Sequence, residues 1–85
     1  RVWELSAFLQ EQLEALGGVQ ILHRTSPITA AVFAGRPAGE LAAALHKQHI
    51  VTAARHGALR ISVQYYNNEE DVERLVRYCR MPTNR

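Results

Sequence analysis

The chain has 85 residues, 47% of them apolar and 21% charged, with a net charge of +2. That suffices for one small folded domain and is too apolar for a disordered chain, while a charge of +2 is too slight to argue for a nucleic-acid partner. No apolar run is long enough to cross a bilayer, and the single cysteine, Cys79, excludes an internal disulfide framework and fits a reducing, cytoplasmic setting.

The first residue is Arg1, and no secretory leader follows it, which suggests a piece excised or processed from a longer protein. Val2, Leu5, Phe8, Leu9, Leu13 and Leu16 recur at three- and four-residue steps and predict an amphipathic helix that Gly17-Gly18 stops. A short strand is expected over Val19–His23 and a turn over Arg24–Pro27. A β-branched, apolar strand over Ile28–Phe33 then suits the interior of a sheet. Gly35-Arg36-Pro37 breaks that strand and opens a second helix to about Gln48, with Ala38, Leu41, Ala42 and Leu45 inward.

A third strand is expected over Ile50–Ala54, and His56-Gly57 reads as a tight turn into a fourth. In that fourth strand Leu59, Ile61, Val63 and Tyr65 alternate with Arg60, Ser62, Gln64 and Tyr66, so one face is apolar and the other polar. Asn68 is placed to cap a last helix, with Glu69, Glu70 and Asp71 in its first turn and Val72, Leu75, Val76 and Cys79 on its inward stripe.

The order is helix, strand, strand, helix, strand, strand, helix. This predicts a single α+β domain spanning residues 1–85, in which three helices cover one face of a small, mostly antiparallel sheet of three to four strands. The other face is left open, and on the fourth strand it carries Arg60, Ser62 and Gln64. An arginine in mid-strand must find a partner or stay wet. From the pattern alone, the first reading of Arg60 is an exposed or salt-bridged strand residue rather than a functional one.

The segment Ile50–Val76 contains Leu59-Arg60-Ile61-Ser62, then Tyr66-Asn67-Asn68, then Glu69-Glu70-Asp71. It resembles the C-terminal small domain of class V aminotransferase-fold, pyridoxal-phosphate-dependent enzymes, among them cysteine desulfurases, selenocysteine lyases, isopenicillin N epimerase-like proteins and kynureninases. Those small domains carry an arginine strand of the type Leu-Arg-Ile-Ser, a Tyr-Asn-Thr or Tyr-Asn-Asn turn, and an acidic helix start.

The resemblance implies that Arg60 binds the α-carboxylate of an amino-acid substrate, and that pyridoxal phosphate is held mainly by a large domain of the same chain, in a homodimeric enzyme. It leaves transamination, lyase and epimerase chemistry open. Arg55 and His56, at the turn before the arginine strand, become weaker substrate-side candidates, and Arg55 could equally serve a domain interface. Cysteine desulfurases carry a persulfide-forming cysteine on a loop before this strand, whereas Arg55-His56-Gly57 closes that gap here, which argues against sulfur transfer through a cysteine.

Lys47, the only lysine, ends the second helix without a glycine-rich phosphate loop, so the 85-residue piece is expected neither to bind the cofactor stably nor to be catalytic by itself. His23, His46 and His49 show no metal-ligand spacing and read as surface residues, and Cys79 as a small core residue. The contrasting reading is a free-standing ferredoxin-like binding or protein-interaction module without catalysis. Recognition of single-stranded RNA is disfavoured, because the polar face of the fourth strand offers only Tyr66 for stacking.

Overall fold

The computed structural model describes residues 2–23, 28–46 and 48–80; the turn expected at Arg24–Pro27, Lys47 and the tail from Met81 lie outside them. The elements are α1 (Val2–Leu16), β1 (Val19–His23), β2 (Ile28–Phe33), α2 (Ala38–Ala44), β3 (Val51–Arg55), β4 (Ala58–Ser62) and α3 (Glu69–Arg80). Among the described residues no helix is long and apolar enough to cross a membrane.

The leucine steps of α1 become its buried stripe, with Leu5, Leu9 and Leu13 almost fully removed from solvent. Its termination needs glycine, because Gly17 and Gly18 both adopt positive φ, at 79° and 71°. The four strands form one antiparallel sheet in the order β1-β2-β4-β3. Two hairpins, β1-β2 and β3-β4, are therefore joined side by side through β2 and β4. The second hairpin turns on His56 and Gly57 alone, with φ of 53° and 81°, the pair of positive values that a two-residue loop matched to strand twist requires.

Thr29, Ala31 and Phe33 of β2 and Leu59 and Ile61 of β4 face the helices and are buried. They form one core with the stripes of all three helices, Leu41 and Leu45 from the α2 segment and Val72, Leu75, Val76 and Cys79 from α3. α1 packs on α3 and on β1 and β2, while α2 packs on β3 and β4. The covering layer is thus closed by contact between the first and last elements of the chain.

Three elements differ in their bounds from the pattern in the sequence, the smallest difference being β3, which runs Val51–Arg55, one residue later than Ile50–Ala54. α2 ends at Ala44 rather than near Gln48, because the His46 and Gln48 N–H groups turn to the carbonyls three residues back, at Ala43 and Leu45, tightening the last turn. β4 ends at Ser62, and Tyr65, expected on the apolar face, is 85% exposed. The cause is a side-chain turn. The Gln64 N–H donates to Asn67 Oδ1 at 2.7 Å and the Asn67 N–H to the Gln64 carbonyl at 3.0 Å, which lifts both tyrosines out of the sheet.

A polar bond crosses the core from Gln10 Nε2 on α1 to Thr29 Oγ1 on β2 at 3.0 Å, and both residues are buried. Removing one partner strands the other in an apolar setting. Gln10→Ala or Thr29→Val alone is expected to lower the urea-unfolding free energy by about 1–3 kcal/mol, and Gln10→Leu with Thr29→Val together by less than either single change. Additive losses in that cycle would mean the bond contributes nothing specific.

Candidate functional site

Residues directly opposite in an antiparallel ladder share a face, so the register assigns the uncovered side of the sheet. Ala30 and Ala53 stand opposite Arg60, Ile28 and Val51 stand opposite Ser62, and Arg55 follows Ala53 two residues on in β3. Arg60, the residue the alternation singled out, is therefore at the middle of the open face, half-buried between two alanines. Around it runs a shallow groove of about 250 Å³ lined by Ile28, Val51, Ala53, Arg55, Arg60 and Ser62.

The groove is basic because of how the fold distributes charge. All eight Asp and Glu residues of the chain, Glu4, Glu11, Glu14, Glu40, Glu69, Glu70, Asp71 and Glu73, fall within α1, α2 and α3. The helices occupy the opposite face of the sheet. Among the described residues, no carboxylate pairs with Arg60. A guanidinium stays protonated at any working pH and presents two parallel donors, so an unpartnered one in a groove is suited to a carboxylate or another planar anion.

Of the three residues singled out from the sequence, the structure brings Arg60 and Arg55 to this groove. His56 stands exposed at the hairpin tip, outside the groove's lining. Tyr66 is not on the face either, having left the sheet with Tyr65. Cys79 is 5% exposed at the α3 end of the core, and burial pushes its thiol up to about 11, the nearby Arg36 guanidinium opposing only in part. That is an unreactive thiol at neutral pH. Arg36 itself donates to the Cys79 carbonyl, tying the segment after β2 to the last turn of α3.

A second polar cluster was hidden in the sequence. His49 reads there as a surface residue and is exposed, and its Nδ1 also lies 3.1 Å from Oδ2 of the buried Asp71. Asn67 Nδ2 donates to the same oxygen and to the His49 carbonyl, each at 3.1 Å. The Asn68 N–H also donates to Asp71 Oδ2, while the Asp71 N–H donates back to Asn68 Oδ1 at 2.9 Å. This reciprocal cap was visible in the spacing of Asn68 and Asp71. The histidine was not, because Asn67 must first fold the β4-α3 connection before His49 can meet Asp71.

The His49 ring also lies against Tyr66, with centroids 5.3 Å apart, and Arg74 Nη1 approaches Asp71 Oδ1 at 3.4 Å. Burial works to raise the Asp71 carboxyl, but hydrogen bonds from Asn67, Asn68 and His49, with the attraction of His49, outweigh it and hold the group below its ordinary 3.8. The cluster joins the α2-β3 connection, the β4-α3 connection and the start of α3. It is a structural clasp, with Asn67, Asn68, His49 and Arg74 all directed at the one buried carboxylate.

Compared with known proteins, the sequence matches no family model and no curated protein. Among the described residues no three His, Cys, Asp or Glu side chains converge as a metal site.

A depressed Asp71 binds its proton more weakly in the folded than in the unfolded chain, so its contribution is complete above about 3.8 and is lost as pH falls through the folded value. Asp71→Asn is expected to lower stability by about 1–3 kcal/mol at pH 7. The gap between wild-type and variant thermal midpoints is expected to hold from pH 7 down to about pH 4 and to narrow below about pH 3.8. A gap that is constant from pH 7 to pH 2 would show that the carboxylate's charge is not what the clasp uses.

Proposed function

We propose that the chain is the substrate-side domain of a cytoplasmic, pyridoxal-phosphate-dependent enzyme of the class V aminotransferase type, in which Arg60 holds the α-carboxylate of an amino-acid substrate. The observation that carries this reading is the position of Arg60. It is half-buried on the open sheet face, flanked by Ala30 and Ala53, with every acidic side chain of the protein on the far layer. An arginine so placed takes its counterion from outside the domain. The Leu59-Arg60-Ile61-Ser62 strand and the Asn68-capped acidic helix that follows add the resemblance described above.

Pyridoxal phosphate, where bound, acts as the electron sink for bond cleavage at Cα. The chain's one lysine, Lys47, has no glycine-rich phosphate loop beside it in the sequence, and the α3 N-terminus, the kind of place where a phosphate is welcomed, is already taken by Asn68, Asp71 and the first-turn acids Glu69 and Glu70. In this reading the cofactor belongs to a large domain of the same protein, paired as a homodimer. The role of this domain is to fix the substrate: two parallel guanidinium donors set the carboxylate plane and with it the orientation of the bonds at Cα. Arg55 adds positive potential along the same groove.

A second reading, a stand-alone protein-interaction module without catalysis, draws on the apolar residues of the same face. Val51 is 50% and Val32 36% exposed, with Leu22 at 54% on the β1 edge. The enzyme reading accounts for these as surface that a large domain covers.

In the enzyme that contains this domain, Arg60→Lys keeps the charge but loses the paired donors, and Arg60→Ala loses both. At roughly 1.5–3 kcal/mol for a charge-assisted hydrogen bond, Arg60→Ala is expected to weaken apparent substrate affinity by about tenfold or more, with Arg60→Lys intermediate and cofactor absorbance unchanged. Unaltered affinity in both variants would remove the enzyme reading and favour the interaction module.

A further inference from the structure

We propose that the groove beside Arg60 selects a small monocarboxylate with an uncharged, apolar body, so that the substrate's side chain, in the enzyme reading, is a hydrocarbon rather than an acid. This rests on the reading of Arg60 as the holder of a carboxylate and goes beyond it by naming what lies next to that carboxylate. The open face is polarised along β4. One rung holds Arg60 between Ala30 and Ala53, and toward the hairpin turn stands Arg55, opposite Ala58. In the other direction the next rung is Ile28, Ser62 and Val51, two branched aliphatic side chains flanking a small hydroxyl. Both cations thus lie at one end of the groove and the aliphatic pair at the other.

Same-face residues along a strand are roughly 7 Å apart, at about 3.4 Å per residue. The aliphatic pair is therefore within reach of the body of a five- or six-carbon acid whose carboxylate rests on Arg60. The groove, about 250 Å³, lies just below the ~300–1,000 Å³ range of drug-sized ligand sites, which suits a ligand of amino-acid size. A second anionic group pointing toward Ile28 and Val51 would meet only the single neutral hydroxyl of Ser62 there, with no cation to offset the water it gives up. A hydrocarbon there removes apolar surface from water on both partners.

The test is a titration of the ¹⁵N-labelled 85-residue chain with acetate, 4-methylpentanoate and glutarate, followed by backbone and arginine Nε–H amide shifts. The expected result is that 4-methylpentanoate shifts Arg60, Ser62, Ile28 and Val51 and reaches half-saturation at a concentration at least tenfold below that of acetate. Val51→Ser is expected to abolish that preference while leaving the acetate response, and Arg60→Gln to abolish both. Amide spectra of each variant report directly that it is folded.

Equal half-saturation by acetate and 4-methylpentanoate, with both responses lost in Arg60→Gln, would overturn the apolar selection and leave Arg60 as a carboxylate holder. Tightest binding by glutarate, with the gain lost in Arg55→Ala, would overturn it in favour of a dianion spanning the two arginines. Responses unchanged in Arg60→Gln, or no response to any of the three acids, would overturn both this proposal and the reading beneath it.

Discussion

The antiparallel pairing of β2 with β4 is the interaction on which the rest of the molecule depends. The two strands belong to different hairpins, and α2 and β3 separate them in the chain. Their register sets Ala31 against Leu59 and Thr29 against Ile61 on the covered side, and Ala30 against Arg60 on the open side. A slip of one residue would exchange the faces, burying the arginine beneath three helices and turning Leu59 and Ile61 to water. Burial of Leu59 and Ile61 and solvation of Arg60 therefore select the same register. Core packing and the chemistry of the open face rest on one choice of alignment.

The fold treats charge in two contrasting ways. Asp71 is buried and surrounded, with Asn67, Asn68, His49 and Arg74 all turned toward it, and its cluster holds two connections against a helix start. Arg60 is half-buried with small apolar neighbours and no internal counterion among the described residues. Satisfied polar networks rigidify a structure; a charge with no internal partner stays available to one from outside. The separation of acids from the sheet is what makes the second treatment possible, since a single glutamate on β2 or β3 facing outward could close onto the arginine and neutralise the groove.

Much of this was legible in the residues. The leucine spacing of α1, the double-glycine stop, the strand over Val19–His23, the His56-Gly57 turn and the Asn68 cap with Asp71 are local signals, in which propensity and periodicity act within a few residues. The outward placement of Arg60 followed from alternation once one face was assumed to be covered. The confinement of all acids to helical segments was also open to inspection, through the positions of Glu4, Glu40 and Glu69–Glu73 relative to the expected helices. What local pattern could not convey depends on long-range closure. The Gln10–Thr29 bond needs α1 laid across β2, and the His49–Asp71 contact needs the Asn67 turn, which also carries Tyr65 away from the face that alternation had assigned to it. The flanking of Arg60 by two alanines needs the strand order.

The closure of the helical layer by α1 against α3 has a temporal side. A chain emerges from the ribosome N-terminus first, at about 5–20 residues per second, and α1 carries Leu5, Leu9 and Leu13 into solution on the order of seconds before Val72, Leu75 and Val76 exist to meet them. The β1-β2 hairpin can shelter part of that stripe early. The remainder waits for α3, so the nascent domain passes through a stage in which α1 is made, amphipathic and not yet covered by α3, the kind of surface that chaperones bind.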